Sequence, residues 1–253
     1  MTSNSLTYDF TGSTVLVTGG TSGIGAAIAA AYADAGAEVI ITGTRPSLAS
    51  YSGIHPDRYR YEQLDVEDAA QIDRLAGKLS KLDILVNNAG LAFASQGLDE
   101  WEPDVFARAV NMHLISGFRL ARGCRDVLAK SHMKGGASII GIGSMSSYFG
   151  IGLVPGYGAG KTGLLGLTRA MAVEWGPLGI RANAVAVGLC ESGMTKEAIK
   201  IPELSQPTLA RTPLGRHGQP EDVAGAVLFL TSENASWITG QMLPIDGGYT
   251  VSG

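Results

Sequence analysis

The chain of 253 residues has little that would place it in a membrane or an oxidising compartment. Its two cysteines, Cys124 and Cys190, are too few for a disulfide framework and stand outside any CxxC motif, so we expect reduced thiols. No apolar run reaches the roughly 18 residues of a membrane-spanning helix. Residues 1–10 have neither the apolar core of a signal peptide nor the arginines of a transit peptide, so we expect a cytoplasmic protein.

Clustered positive charge and metal-ligand spacing are also missing. The formal net charge is −4 and no run of five lysines or arginines occurs, which argues against binding to nucleic acid or to an anionic membrane. The four histidines share no ligand spacing and are interpreted as structural: His55, His113, His132 and His217. No metal is predicted, and a small-molecule substrate is the expected partner.

Apolar residues and glycine, by contrast, are plentiful. Hydrophobic residues make up 45% of the chain, and the 35 glycines follow no collagen-like period. Short runs rich in Val and Ile alternate with longer segments of helical periodicity. Strands are predicted at 14–17, 38–42, 59–64, 84–86, 138–142 and 181–187. Helices are predicted at 24–35, 67–79, 104–128, 157–175 and 221–230.

This alternation predicts an α/β fold. Most of the strands are apolar throughout, as strands buried on both faces must be, which indicates a parallel sheet covered by helices. Because no linker or repeat divides the chain, residues 1–253 are predicted to form a single Rossmann-like domain, a doubly wound sheet of about seven strands. Residues 188–214 are too long for an ordinary connection and are predicted to form a substrate-binding insert.

A glycine-rich turn follows the first strand and opens the first helix. It contains Gly19, Thr21, Ser22, Gly23, Ile24 and Gly25. Glycines at such a turn let the backbone approach a pyrophosphate, whose charge the free N–H groups and the helix dipole stabilise. The alternative is a tight turn that binds nothing, but the strand before it and the helix after it favour a dinucleotide site.

The glycine spacing resembles the TGxxxGxG motif of the classical short-chain dehydrogenases/reductases, and further matches follow in the order of that family. They are Asp65, the NNAG of residues 87–90, Asn111, Ser144, Tyr157, Lys161, Arg216 and the DGG of residues 246–248. The resemblance covers essentially the whole chain. It implies an NAD(P)-dependent enzyme that moves a hydride between nicotinamide and a secondary alcohol or ketone, similar to 3-oxoacyl-[acyl-carrier-protein] reductases or polyol dehydrogenases.

Tyr157 is the predicted general acid/base, because hydride transfer at an alcohol carbon also requires a proton to leave or reach the oxygen. Lys161 lies one helical turn away, and a nearby ammonium favours the phenolate. The resemblance implies that Lys161 also binds the cofactor ribose, that Ser144 holds the substrate oxygen and that Asn111 supports a proton-relaying water. The alternatives are structural: a helix-surface pair, a turn residue and a buried amide.

The resemblance also implies a set of cofactor-binding residues. They are Gly19, Thr21, Ser22, Gly23, Ile24, Gly25, Thr44, Arg45, Asp65, Val66, Asn88, Ala89, Gly90, Tyr157, Lys161, Gly188 and Thr195. Asn87 is expected to tie adjacent strands together. Gly43 stands about where NAD-preferring relatives have an aspartate, and Arg45 is near enough to pair with a 2′-phosphate, so NADP(H) is favoured over NAD(H). The alternative is that Arg45 is only a solvated loop residue.

Two features leave the substrate open. Val187 replaces the proline that usually precedes Gly188 in this family, so we expect an altered loop geometry there. The predicted pocket lining is mostly apolar with a few polar groups: Met145, Phe149, Leu153, Val154, Leu189 and Met194, with Ser146, Ser147 and Glu191. A sugar, a polyol, a hydroxy or oxo acid, or another small carbonyl compound fits this description.

Three further alternatives concern function and assembly. A 3-oxoacyl-[acyl-carrier-protein] reductase is disfavoured because Gly135 and Leu178 stand where such enzymes often have basic residues. A non-catalytic NADP(H) sensor is disfavoured by the complete catalytic set. The resemblance predicts a homo-oligomer, a dimer of dimers, through long apolar helix faces whose alternative role is packing on the sheet: Phe118, Leu120, Leu164, Leu165, Leu167 and Met171.

Overall fold

The computed structural model describes residues 6–193 and 195–252. The strands are β1 (Thr14–Val17), β2 (Glu38–Gly43), β3 (Arg60–Gln63), β4 (Ile84–Asn87), β5 (Ala137–Ser144), β6 (Ile180–Val187) and β7 (Met242–Ile245). The helices are α1 (Gly23–Asp34), α2 (Ala69–Lys78), α3 (Pro103–Val110), α4 (Ser116–Leu128), α5 (Pro155–Trp175), α6 (Lys196–Ile199), α7 (Pro202–Arg211) and α8 (Pro220–Thr231).

The seven strands form one parallel sheet in the order β3-β2-β1-β4-β5-β6-β7. The sheet grows outward in both directions from β1 and β4, so the crevice beyond the C-terminal ends of these strands is the switch point where α/β sheets bind ligands. The predicted α/β fold with a doubly wound sheet of seven strands is confirmed.

Helices cover both faces of the sheet because alternate residues of each strand point to opposite sides. Val15 and Val17 of β1 pack with α1 and α8, where Ile28 and Val227 are fully buried. Leu16 packs on the opposite face, in the cluster that α2, α4 and α5 complete. The near-continuous apolar strands are therefore explained by burial on two sides.

The helix predicted over 104–128 is interrupted in the structure. α3 ends at Val110, Asn111–Ile115 form a π-helical segment, and α4 begins at Ser116. Ser116 Oγ donates a 2.7 Å hydrogen bond to the carbonyl of Met112. Because a single wide turn shifts the phase of an apolar stripe without ending it, periodicity did not reveal this segment. Such π-helical turns are frequent at functional sites.

The segment 188–214 contains the short helices α6 and α7 rather than a plain loop. An isolated parallel bridge between Cys190 and Gly218 joins its beginning to the chain that follows it. Its role in substrate binding stays a prediction.

The position of the seventh strand was not predicted from the sequence. β7 has only four residues, one of them Pro244, and two of its residues are exposed. This composition fits the edge of a sheet, where proline does not remove a ladder hydrogen bond. Within the described ranges, none of the helices has the length and apolar character needed to span a bilayer.

Candidate active site

The glycine turn lies at the C-terminal end of β1 and requires glycine at several positions. Gly19 and Gly23 have φ values of +64° and +53°, which L side chains rarely adopt. A Cβ on Gly25 would lie only 2.5 Å from Asn88 Nδ2. The N-cap residue of α1, Ser22, makes no side-chain cap hydrogen bond, and the first turn of the helix has no acidic residue. Its free N–H groups and positive dipole end therefore suit an anion such as a pyrophosphate.

Thr18 and Asn88 hold this turn against the neighbouring strand. Thr18 Oγ1 accepts hydrogen bonds from the backbone N–H groups of Asn88 and Ala89 at 2.9 and 3.0 Å. Asn88 Nδ2 donates to the Thr18 carbonyl at 2.8 Å. Asn87, expected to tie adjacent strands together, is paired with Gly141 of β5, and its Nδ2 donates to the Gly117 carbonyl of α4 at 3.1 Å.

Three of the four predicted catalytic residues converge beyond the end of β5. Ser144 is the last residue of that strand, and Tyr157 and Lys161 lie one turn apart on α5. The Tyr157 phenol hydrogen-bonds the Ser144 side chain. Lys161 Nζ donates a 2.6 Å hydrogen bond to the Ile142 carbonyl and lies 5.5 Å from the centroid of the Tyr157 ring. The strand end and the helix thus place a phenol, a hydroxyl and an amine in one cluster.

Burial controls the protonation of this cluster. Burial raises the pKa of Tyr157; the hydrogen bond with Ser144 opposes the shift, and the negative charge of Glu100 adds to it. Burial lowers the pKa of Lys161 to about 8. The amine is desolvated and directed to the Ile142 carbonyl, so the expectation that Lys161 favours the phenolate stays a prediction.

Asn111, the fourth predicted catalytic residue, begins the π-helical segment and is half-buried. This segment packs closely on α5, since a Cβ on Gly160 would lie 3.0 Å from His113 Cβ. The segment therefore faces the helix that carries Tyr157. Its departure from α-helical geometry coincides with the predicted site.

His113, interpreted from sequence as structural, lies against Tyr157. The two rings meet edge to face with centroids 4.7 Å apart. Nε2 lies 2.9 Å from the Leu91 carbonyl, whereas the buried Nδ1 has no hydrogen-bond partner among the described residues. Burial, helped by the charge of Lys161, lowers the pKa of His113 to about 3. The imidazole is therefore neutral at physiological pH, with Nε2 as the protonated nitrogen.

Glu100 also belongs to the site and was missed from the sequence. Its side chain is fully buried, and Oε2 accepts a 2.8 Å hydrogen bond from the backbone N–H of Tyr157. The N-cap residue of α5, Val154, offers no side-chain cap, so Glu100 supplies one from outside the helix. Oε1 is buried without a hydrogen-bond partner in the described part of the chain. The sequence offers no signal for Glu100 beyond its position beside Trp101, shortly before the start of α3.

Comparison with known proteins decides the family. A family model described as enoyl-(acyl carrier protein) reductase matches residues 19–250. A 3-oxoacyl-[acyl-carrier-protein] reductase of Rickettsia prowazekii is 39% identical over 245 residues, covering 95% of this chain and 98% of the relative. A 2-dehydro-3-deoxy-D-gluconate 5-dehydrogenase of Bacillus subtilis is 35% identical over 250 residues, covering 96% of each chain. The chain belongs to the short-chain dehydrogenase/reductase family.

The fold of this short-chain dehydrogenase/reductase is shared closely with solved structures. A crystal structure from Agrobacterium tumefaciens, provisionally named a 2-deoxy-D-gluconate 3-dehydrogenase with bound NADP, has a TM-score of 0.84 and 32% identity, covering 98% of this chain and all of that one. The related enzymes are dehydrogenases and reductases of CH–OH or carbonyl groups. The protein is accordingly an oxidoreductase of that class.

The other predicted cofactor residues of this dehydrogenase/reductase line the same edge of the sheet. Asp65 is exposed after β3, and its Oδ1 accepts from the Glu67 N–H at 2.9 Å. Val66 is half-buried beside it. Gly188 donates its N–H to the Ile245 carbonyl at 3.0 Å, and Thr195 Oγ1 accepts from the Ser192 N–H at 3.1 Å.

The predicted pocket lining is only partly available to a substrate. Ser147 is buried and its hydroxyl donates to the Lys161 carbonyl at 2.8 Å, so it is not free to donate to a substrate in this structure. Val154 is buried, whereas Leu153 is 71% exposed. Met194 lies outside the described residues. In the ranges 6–193 and 195–252, no group of three or more potential ligands is arranged to hold a metal ion.

Proposed function

We propose that this short-chain dehydrogenase/reductase transfers a hydride between NADP(H) and a secondary alcohol or ketone, with Tyr157 as the general acid/base. The observation that carries the proposal is the hydrogen bond between the Tyr157 phenol and Ser144, with Lys161 Nζ 5.5 Å from the phenol ring. A phenol and a hydroxyl that share one hydrogen bond can both reach a carbonyl oxygen placed between them.

The chain's own residues hold the substrate oxygen and move a proton at it. Ser144 donates a hydrogen bond to that oxygen, and Tyr157 gives it a proton during reduction or removes one during oxidation. The raised pKa of Tyr157 suits the reductive direction, because the phenol is protonated at neutral pH. Lys161, with a pKa of about 8, returns a proton towards Tyr157, and Asn111 holds the water that completes this relay. The nicotinamide, when bound, supplies or accepts the hydride.

The crevice fits such a cofactor. The uncapped start of α1 offers N–H groups to a pyrophosphate, and Asp65, Val66, the 88–90 segment, Gly188 and Thr195 stand along the rest of the same edge. The absence of an acidic side chain at position 43 and the nearby Arg45 guanidinium support a 2′-phosphate. The related Agrobacterium structure contains NADP.

A second candidate substrate is a 3-oxoacyl chain on acyl carrier protein, which the 39% identity to the Rickettsia reductase favours. In place of the expected basic residues, Gly135 packs near Glu233, and Leu178 is 43% exposed. The test compares a 3-oxoacyl chain on the carrier protein with the same chain on N-acetylcysteamine. A reductase of carrier-bound substrates shows a much higher kcat/KM with the former, whereas equal values favour a free carbonyl compound.

The deciding experiment screens ketones, sugars and polyols with NADPH and NADH, using wild type and Tyr157→Phe. Tyr59→Phe is the matched control, since Tyr59 is a half-buried tyrosine far along the chain from the site. We expect turnover in wild type and Tyr59→Phe and a loss of at least about a hundredfold in Tyr157→Phe. Cofactor binding in all three proteins with no turnover on any substrate would favour a sensor instead.

We also propose a homo-oligomer, a dimer of dimers. Leu120, Leu164 and Met171 are buried in the fold itself, so their expected role at a subunit contact is wrong. The proposal is supported by two exposed apolar side chains: Phe118 of α4 is 41% exposed, and Ile115 of the preceding π-helical segment is 50% exposed. Light scattering of wild type and Phe118→Glu tests it, and an unchanged mass would count against this face.

A further inference from the structure

Tyr51 occupies the space above Gly43, the last residue of β2. The chain between β2 and β3 contains only short 3-10 turns, and it returns Tyr51 to the end of the strand it has just left. A Cβ on Gly43 would overlap the Tyr51 hydroxyl and lie 3.0 Å from Thr21 Cγ2. The Tyr51 oxygen therefore stands where the side chain of residue 43 would be, next to the glycine turn.

Hydrogen-bond donors converge on this one oxygen. The backbone N–H of Arg45 donates to it at 2.9 Å, and the hydroxyls of Thr44 and Thr21 are further hydrogen-bond partners. The Tyr61 hydroxyl beside it donates to the carbonyls of Gly43 and Arg45. Burial raises the pKa of Tyr51, but these hydrogen bonds outweigh burial and lower it. The surroundings of the oxygen thus favour negative charge.

The side chain of Arg45 is held against the same tyrosine. The Arg45 guanidinium lies 4.8 Å from the centroid of the Tyr51 ring and donates to the Ser50 carbonyl. None of the ion pairs formed by described residues includes Arg45. An anion that displaced the hydroxyl would therefore find an arginine, a backbone N–H and two threonine hydroxyls already in place.

We propose that the Tyr51 hydroxyl occupies the 2′-phosphate subsite and must leave it before NADP(H) binds, so that Tyr51 sets the affinity for the phosphorylated cofactor. This inference rests on the proposed NADP(H) preference and goes beyond it. A neutral oxygen and a phosphate oxygen compete for the same donors. The phosphate has the advantage of charge, whereas the hydroxyl has the advantage of being tethered to the site.

The test measures binding of 2′,5′-ADP and 5′-AMP by calorimetry, so that no substrate is needed. Tyr51→Phe keeps the ring beside Arg45 and removes the competing oxygen. We expect it to bind 2′,5′-ADP about fivefold more tightly than wild type, the equivalent of one neutral hydrogen bond, with 5′-AMP unchanged. Tyr59→Phe is the matched control and should bind both ligands as wild type does. Thermal unfolding of each variant verifies that it is folded.

The outcomes separate this inference from the proposed function. If wild type prefers 2′,5′-ADP but Tyr51→Phe binds it equally or less tightly, the tyrosine is a bystander or a ligand of the phosphate and the inference fails alone. If wild type shows no preference and Tyr51→Phe gains one, competition by the Tyr51 hydroxyl is supported although wild type is not NADP(H)-specific. If neither protein discriminates between the two ligands, both the inference and the NADP(H) preference are overturned.

Discussion

The carboxylate of Glu100 accepts the backbone N–H of Tyr157 at 2.8 Å, across 57 positions of sequence. This bond does two things at once. It caps the helix that carries the proposed acid/base, and it places a buried negative charge near the phenol, which contributes to the raised pKa of Tyr157. Glu100 is therefore a positioning residue whose effects on geometry and on charge can be separated by substitution.

We expect Glu100→Gln to keep the cap and remove the charge. Because a carboxylate disfavours the phenolate, its loss lowers the pKa of Tyr157, and Tyr157 ionises at a lower pH than in wild type. The measurement is the tyrosinate absorbance during a pH titration. The signal of Tyr157 is the difference between the titration of Glu100→Gln and that of the double variant Glu100→Gln with Tyr157→Phe. Glu102→Gln, an exposed acid two residues away, is the control for the change in net charge.

Glu100→Ala tests the capping role of Glu100. It leaves the Tyr157 N–H buried without an acceptor, and we expect the free energy of unfolding to fall by about 1–3 kcal/mol. Equal stability of Glu100→Ala and Glu100→Gln would contradict the capping role, and an unshifted Tyr157 titration in Glu100→Gln would contradict the electrostatic one.

The buried His113 should make the protein sensitive to acid. Its folded pKa of about 3 lies below the ordinary histidine value of 6.5, so the unfolded chain binds the proton first. The stability that this neutral imidazole contributes is complete above pH 6.5 and is lost as the pH falls towards 3. Between pH 7 and pH 5 the loss is about 2 kcal/mol.

His113→Gln keeps a donor for the Leu91 carbonyl but does not titrate. We expect its urea unfolding free energy to change less between pH 7 and pH 5 than that of wild type. His132→Gln, which replaces an exposed histidine, should retain the wild-type pH dependence. The same acid sensitivity in wild type and His113→Gln would mean that other groups cause it.

The sequence predicts those parts of the fold and the site that depend on residues close together in the chain. β1 and β6 were predicted closely because an unbroken apolar run is itself the consequence of burial on two faces. β7 was not located, because a four-residue edge strand with Pro244 has no such pattern. Tyr157 and Lys161 were found from their spacing, since four residues on a helix correspond to one face.

The remaining features of the site come from pairs that are distant in sequence. Glu100 reaches Tyr157, and the Tyr51 hydroxyl covers Gly43, only after loops without regular periodicity have folded. The desolvation that raises the pKa of Tyr157 and lowers that of Lys161 likewise depends on packing around both residues. Residue types at fixed spacing indicate which groups are present, whereas their protonation depends on the three-dimensional surroundings.

Val187 offers a test of the altered loop geometry expected from the sequence. It is the last residue of β6, is buried, and is paired with Ser144 on one side and Ile245 on the other. Val187→Pro removes an N–H from the interior of the sheet, and we expect the unfolding free energy to fall by about 1 kcal/mol and the NADPH affinity to change. Val187→Ala is the control that loses packing but keeps the N–H. Unchanged NADPH binding in Val187→Pro would discard the idea.

An aspartate at position 43 should reverse the cofactor preference. In Gly43→Asp the new side chain must displace the Tyr51 hydroxyl, and its carboxylate would repel a 2′-phosphate and accept from a 2′-hydroxyl. We expect binding of 2′,5′-ADP to weaken by at least about tenfold, with a smaller change for 5′-AMP. Gly77→Asp adds the same charge to an exposed position of α2 with no neighbour near its Cβ, and should alter neither ligand.

Combining Gly43→Asp with Tyr51→Phe distinguishes crowding from charge. If Gly43→Asp is destabilised because its side chain meets the Tyr51 hydroxyl, removal of that hydroxyl should restore part of the unfolding free energy, so the two substitutions are not additive. The weak binding of 2′,5′-ADP should persist in the double variant, because the carboxylate is still present. Recovery of 2′,5′-ADP binding together with stability would instead mean that position 43 acts by steric exclusion alone, and the electrostatic account of cofactor choice at the end of β2 would be wrong.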